Sequence, residues 1–276
     1  MTAIEIRKLV TMKEVEQIQQ LEQEVWGMTA IPTHQTFTAA TNGGLLLGAF
    51  DGDQIVGFSY SFPGFKEGEV YLCSHMLGVL PSEQHRGIGN LLKEHQCQIA
   101  REMGYSLLTW TFDPLESRNA YLNFSKLKGI SSCYLENCYG EMTDGLNKGL
   151  PSDRLKIEWW INRERVTKNW QPLDVVYERP FTIEMRSDGY PKMTIALQDI
   201  DPTSEGIEIA IPKHIQQIKQ QAPDLALDWR MKIREAFQFL FDKGFAIVNL
   251  NKTEEDICYY QFIKRAEIPL KHKGEL

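Results

Sequence analysis

Between a run that alternates like a strand and a run spaced like a helix stands Val79-Leu80-Pro81-Ser82-Glu83-Gln84-His85-Arg86-Gly87-Ile88-Gly89-Asn90. This turn constrains the chain more than any other stretch. Glycine lets a backbone turn tightly and lets a ligand come close. Where such a turn opens a helix, successive N–H groups point one way and the helix dipole favours an anion. The pattern suits a diphosphate, with Arg86 adding charge from the rim. Three readings compete. A dinucleotide fingerprint needs the turn after the first strand and a third glycine, where Leu92 stands. A phosphate loop needs Gly-Lys-Ser/Thr, which is absent. A plain tight turn is the third reading.

The surroundings alternate strand and helix. Ile4–Leu9 has a period of two. Thr11 and Glu14 form a capping box, and Val15, Ile18, Leu21 and Val25 give the helix after it one apolar face. A short helix runs from Pro32 to Asn42-Gly43-Gly44, and Leu45–Phe50 with Gln54–Phe62 reads as a hairpin. Strand Glu69–Leu80 leads into the glycine turn. The helix after it is expected to turn Leu91, Leu92, Ile99 and Met103 inward and to stop at Gly104. Strand Ser106–Phe112, a helix over Glu116–Lys126 and strand Leu155–Ile161 follow.

Later, strands are expected at Phe181–Arg186, Met193–Leu197 and Gly206–Ile211, with Pro212 opening a short helix. Pro223 opens a longer one with Leu225, Trp229, Ile233, Phe237 and Leu240 on one face. Strands Phe245–Asn249 and Ile257–Lys264 close the pattern, and the tail His272–Leu276 is expected to fray.

Composition narrows the classes. A chain of 276 residues, 42% hydrophobic and 24% charged, supports a real core. Its apolar runs fall far short of the about 20 residues of a membrane span, and the N-terminus lacks a secretory pattern. A formal charge of −7 does not favour nucleic acid as main partner. Five cysteines without a C-x-x-C pair read as reduced, mostly buried thiols of a cytosolic protein, and six scattered histidines suggest no metal site.

The run Gln84-x-x-Gly87-x-Gly89, after a strand ending Val79-x-Pro81, resembles motif A of the GNAT superfamily of acyl-CoA-dependent N-acyltransferases. The element order over residues 3–160 agrees with it. The chain also resembles a bacterial subgroup through Tyr71–Val79, Thr109–Leu115, Arg118–Tyr121, Gly149–Leu155, Ile211–Ile215 and Trp229–Arg234. The resemblance implies an α+β fold: a mixed, mostly antiparallel sheet with a V-shaped splay, flanked by helices, over residues 1–168. A smaller α+β domain would occupy 169–276. It also implies acetyl-CoA or another acyl-CoA as cosubstrate and a small-molecule amine as acceptor, with no nucleic-acid or membrane partner. Succinyl transfer to an amino acid, acylation of a peptide, and non-catalytic acyl-CoA sensing are alternatives. The second domain is open to two roles, forming a homodimer or closing the acceptor pocket.

The resemblance assigns cofactor contacts to Leu77, Gly78 and Val79 of the motif strand and to Gln84, His85, Arg86, Gly87, Ile88, Gly89 and Asn90 of the loop. Asn119 matches a helix asparagine that reaches the cofactor, with Asn123 a turn further on. An attacking alkyl ammonium has a pKa of about 10, so a base must remove its proton. The family's usual acidic position falls on Cys73. Alternation sets Tyr71, Cys73, His75 and Leu77 on one side, and His75 is nominated as base, against a hydrogen-bonded structural role. Asp113 and Glu116 are the other candidates, against helix capping. The usual tyrosine acid falls on Phe124 or Ser125, so Tyr121, one turn earlier, is nominated, with core packing as its alternative. Trp110, Phe112, Tyr134, Tyr139, Trp159 and Trp160 are weighed as pocket or core, and Arg118 and Arg154 as a carboxylate fork or surface pairs.

Overall fold

The computed structural model describes residues 3–27, 30–142 and 148–270; the tail expected to fray lies outside them. The chain divides into two compact units between Trp110 and Thr111.

The first unit runs β1 (Ile4–Lys8), α1 (Met12–Trp26), α2 (Thr33–Thr41), β2 (Leu45–Asp51), β3 (Gln54–Lys66), β4 (Glu69–Val79), α3 (Ile88–Glu102) and the start of β5 (Leu107–Phe112). The capping box forms as expected: Glu14 N–H donates to Thr11 Oγ1 at 3.3 Å, and Thr11 N–H to the Glu14 carboxylate at 3.0 Å. The sheet order is β1-β2-β3-β4-β5. Its first three pairings are antiparallel and β4–β5 is parallel. That last pairing is short: among the described residues it joins only Leu72 to Leu108 and Cys73 to Thr109. The ladder is not continued by Ser74 and Trp110, the place where the resemblance implies a splay.

Within β4 the register against β3 slips. Tyr60 faces Met76 but Ser61 faces Ser74, so His75 is the extra residue of a β-bulge. A bulge shifts the alternation of everything beyond it. Tyr71, Cys73 and His75 share the face of Tyr60 and Phe62. Leu77, opposite Ser59, lies on the other face, near Gly89 of α3. The expected shared side for Leu77 is thereby corrected.

The inner face of α3 also differs from expectation. Its buried residues are Ile88, Leu92, Lys93, Gln96, Cys97 and Ala100, while Met103 is exposed. Polar Lys93 and Gln96 occupy core positions that a hydrophobic count passes over.

The second unit holds the end of β5, then α4 (Ser117–Ala120) running into a π-helical turn over Tyr121–Lys126. That turn replaces part of the expected continuous helix. Next come β6 (Tyr134–Leu135), β7 (Arg154–Trp160), α5 (Glu164–Thr167), β8 (Tyr177–Glu178), and the hairpin of β9 (Phe181–Met185) with β10 (Pro191–Ile195). They are followed by β11 (Gly206–Pro212), α6 (Ile215–Gln221), α7 (Pro223–Asp242), β12 (Phe245–Lys252) and β13 (Ile257–Lys264). The last sheet has the order β12-β13-β11-β8. Pro212 ends β11, still paired with Ile257, instead of opening a helix.

Compactness does not break at 168/169. Phe124 packs on Tyr260 at 5.8 Å between ring centroids. The Arg165 guanidinium donates to the carbonyls of Lys128, Gly129 and Val248, and Ser131 bridges to Ile247. Residues 111–168 therefore share a core with the strands and helices of the C-terminal part.

No disulfide joins the described cysteines; Cys97 and Cys258 are buried and Cys138 is exposed. No helix among the described residues is long and apolar enough to cross a membrane, and no group of three or more His, Cys, Asp or Glu there could hold a metal ion.

Candidate functional site

The glycine turn begins at the end of β4 and finishes as the first turn of α3. Gly87 sits at φ +73°, a left-handed conformation that disfavours any Cβ. Gly89 needs a different explanation. It is helical, and a Cβ built there would meet only Leu77 Cδ2, at 3.8 Å. Neither backbone strain nor crowding by the protein requires glycine at 89, and glycine inside a helix costs about 1 kcal/mol against alanine. The helix's first recorded turn bonds run from Asn90 and Leu91 to the Gly87 carbonyl, so the N–H groups of Ile88 and Gly89 come before them. This corner is open, rich in donors and free of side-chain bulk.

Around it, His85 and Gln84 are exposed, and the Gln84 amide donates to the Val79 carbonyl at 3.4 Å. Asn90 donates to Glu94 at 2.6 Å. Arg86, expected to offer charge from the rim, is paired with Asp51 and, at 2.7 Å, with Glu83. Gly78 is buried against Phe58.

His75 projects from the bulge into a cavity of about 790 Å³ lined by His34, Gln35, Thr38, Tyr60 and Phe62, among others. It stands exposed at the wall, its ring 6.0 Å from Tyr60 and 5.6 Å from Phe62. Desolvation among these rings pushes its pKa below the ordinary 6.5, so the imidazole is neutral at pH 7. Among the described residues the cavity lining includes no Asp, Glu, Lys or Arg. Behind it lies a residue the sequence reading missed. Glu22 of α1 is 2% exposed, accepts the Ile31 N–H at 2.9 Å, and burial pushes its pKa up. The signal was visible: Glu22 follows Ile18 by four on the buried helical face.

The other face of β4 carries a second missed group. Lys93 is 2% exposed and donates to Ser74 Oγ at 2.8 Å and Gln96 Oε1 at 3.2 Å. Its ammonium lies 3.7 Å from the centroid of the Trp110 ring. Burial brings its pKa down to about 7. Gln96 in turn donates to Ser59 at 2.9 Å, Ser61 at 2.6 Å and Ser74 at 3.0 Å. Trp110 is thus the lid of a buried polar cluster.

In the second unit, both Asp113 oxygens are engaged. One accepts the Leu115 N–H at 2.8 Å; the other binds the fully buried Arg230 at 2.5 Å, with Arg154 3.9 Å away. Burial pushes the Glu116 carboxyl up, and the Gln216 amide binds it. Tyr121 opens the π-helical turn with the Lys252 ammonium 3.7 Å and the Lys126 ammonium 5.7 Å from its ring centroid. Asn119 is exposed and Asn123 is buried at 4%. Phe124 is core, and the Ser125 hydroxyl bonds Asn249 and the Leu250 carbonyl.

Of the aromatics weighed in this unit, Trp159 is core, Phe112 packs on Phe124, Tyr139 is exposed, and the Trp160 indole donates to Glu158. The Tyr134 phenol donates to Asp153, whose carboxylate also receives the Arg234 fork at 2.8 and 2.9 Å. Burial raises the pKa of Asp153, but Arg234, the Asn137 N–H and Tyr134 more than offset it, leaving the carboxyl below its usual range.

Residues 12–124 match the family model described as the acetyltransferase (GNAT) family. No protein of curated function matches the chain. Among solved structures, the ribosomal-protein-S18-alanine N-acetyltransferase of Escherichia coli aligns at TM-score 0.46 and 15% identity, over 63% of this chain and 99% of that one. A GNAT family acetyltransferase of Elizabethkingia anophelis with acetyl-CoA bound aligns at 0.43 and 17%, over 57% and 97%. A GNAT family acetyltransferase of Streptococcus pneumoniae aligns at 0.46 and 14%, over 56% and 98%. At these scores the structural likenesses carry no weight of their own.

Proposed function

Residues 12–124 form an acetyltransferase (GNAT) family domain, and from that premise we propose that the protein moves an acyl group from a coenzyme A thioester to an amine of a small molecule in the cytosol. The observation that carries this is the unexplained glycine. Gly89 leaves room over the first N–H groups of α3 where the protein itself needs none, as close approach by a diphosphate would require. In this reading the backbone from Gln84 to Asn90 holds the diphosphate, and Leu77, Gly78 and Val79, beyond the last β4–β5 pair, offer their main chain. By function, residues 1–168 are proposed to carry acyl transfer and 169–276 to form a smaller α+β part, although the compact units divide after Trp110.

The chemistry follows from His75. A neutral imidazole at the wall of a cavity can take the proton an ammonium must lose before its nitrogen attacks. The nitrogen–carbon bond then forms, the carbon–sulfur bond breaks with its electron pair on sulfur, and a proton reaches the thiolate. Tyr121 is proposed as its source. Asp113, with both oxygens engaged, is proposed to hold Arg230 rather than to exchange protons. Since no charged side chain among the described residues lines the cavity, the acceptor is proposed to carry its amine on an uncharged, aromatic or aliphatic remainder. That favours it over an amino-acid acceptor, whose carboxylate would lack a cation there.

The test is calorimetry with acetyl-, succinyl- and longer acyl-CoAs, then thiol release over an amine panel with the tightest donor. Expected are micromolar binding, turnover with a neutral-bodied amine, and loss of turnover with retained binding in His75→Phe. Binding without turnover by any amine would make the protein a sensor. Absence of binding ends the proposal.

A further inference from the structure

The last pair of the β4–β5 ladder is Cys73 with Thr109. The next residue on each strand is Ser74 and Trp110, and between these two the Lys93 ammonium is held, 2.8 Å from the Ser74 hydroxyl and 3.7 Å from the Trp110 ring centroid. The amine therefore stands where the β4–β5 ladder stops. Its three N–H groups have two oxygen acceptors, Ser74 and Gln96, and one aromatic face, an arrangement that accommodates a charged ammonium. Among the described residues no carboxylate pairs with it. A buried cation with only a thiol, Cys73, as an ionisable neighbour is costly, and an anion entering the slot would supply the negative charge.

We propose that Lys93 is the fixed cation of the acyl-CoA slot, opposing the negative charge that grows on the thioester oxygen and then on the departing sulfur. The inference rests on the acyl-transfer function proposed for this domain. Lys93 keeps its proton throughout. The acceptor nitrogen bonds to the carbonyl carbon, its proton leaves to the base, and the carbon–sulfur pair moves onto sulfur. The lysine makes no bond; it is a positioning residue acting through its field.

The groups around it leave the charge to Lys93. Cys73 of β4 acts on it electrostatically. From β5 comes Trp110, from α3 Gln96, and through Gln96 the Ser59 and Ser61 hydroxyls of β3, none of them charged near neutral pH. His75 lies on the opposite face of β4. Loss of the Lys93 proton, near pH 7 in the empty protein, would remove the field, and an anion in the slot would hold that proton to higher pH.

The experiment is a titration of the Lys93 side chain by carbon NMR in the whole protein, assigned by its absence in Lys93→Met, without and with coenzyme A. The midpoint is expected near 7 alone and at least one pH unit higher in the complex. With the best acyl-CoA and amine, Lys93→Met should lower kcat about 10²-fold with KM for the acyl-CoA changed less than about threefold. Lys93→Arg, whose charge does not titrate, should recover activity and lose the alkaline fall in kcat seen in the parent. Calorimetric binding of coenzyme A with an unmoved Lys93 midpoint overturns this inference and leaves acyl transfer standing. No binding of any acyl-CoA overturns both.

Discussion

Gly89 and Lys93 each depart from what their local position would choose, and in each case the departure can be measured. Alanine at 89 would make ordinary contact with Leu77 and remove the entropy that glycine loses on entering a helix. Gly89→Ala should therefore raise the stability of the empty protein by about 0.5–1 kcal/mol in urea unfolding while weakening acyl-CoA binding tenfold or more by calorimetry. Gain of stability with unchanged affinity would return the residue to a plain helix start. For Lys93 the folded protein releases a proton near pH 7, whereas an unfolded lysine holds it to about 10.4. Between those values the unfolded chain binds more protons, so stability rises with pH; below 7 the burial penalty is present in full. Compared with Lys93→Met, the parent should gain about 1 kcal/mol per pH unit between pH 8 and 9, read from denaturant curves. A difference that stays flat with pH would mean that the folded protein holds the Lys93 proton beyond pH 9, as a hydrated lysine does.

At the scale of the element, β4 and α3 explain both what the sequence made legible and what it hid. The strand, the turn and the helix were readable, because alternation, two glycines and helical spacing are local signals. The splay was reached only through family resemblance, since where a parallel ladder stops depends on strands far apart in the chain. The bulge at His75 was hidden because nothing in a single strand reveals which residue its neighbour skips. It kept His75 with Tyr71 and Cys73 but moved Leu77 across the sheet. On α3 the inward row 88-92-96-100 was visible as spacing, but a search for apolar residues chose Leu91, Ile99 and Met103 over Lys93 and Gln96. Their network has a cost if broken. Gln96 gives its amide to Ser59, Ser61 and Ser74 and takes a bond from Lys93. Gln96→Leu would leave several buried polar groups short of partners at about 1–3 kcal/mol each. A loss of at least about 3 kcal/mol is expected, with Lys93 amide exchange accelerated. A loss below about 1 kcal/mol would show that water enters the cluster and replaces the amide.

Across the whole molecule, the motifs that carried the family resemblance in the second unit converge on one another. Asp113 comes from the run Thr109–Leu115, Asp153 and Arg154 from Gly149–Leu155, and Arg230 and Arg234 from Trp229–Arg234. In the fold Arg230 binds Asp113, and Arg234 grips Asp153 while Tyr134 donates to the same carboxylate. No sequence spacing announces such a cluster, because its bonded partners lie up to 117 positions apart. It also accounts for why residues 111–168 and α7 belong to one compact unit. Arg230 has a fully buried side chain and Asp113 is 15% exposed, so removing one partner strands the other's charge. Arg230→Met should cost about 3–5 kcal/mol. Adding Asp113→Asn should recover more than half of that, because the carboxylate left without its cation becomes a neutral amide while the methionine fills the arginine's space. Paired denaturation curves of the two single variants and the double one decide it. If the losses simply add, the two side chains are not energetically coupled, and Asp113 would again be available as a proton acceptor rather than an anchor for α7.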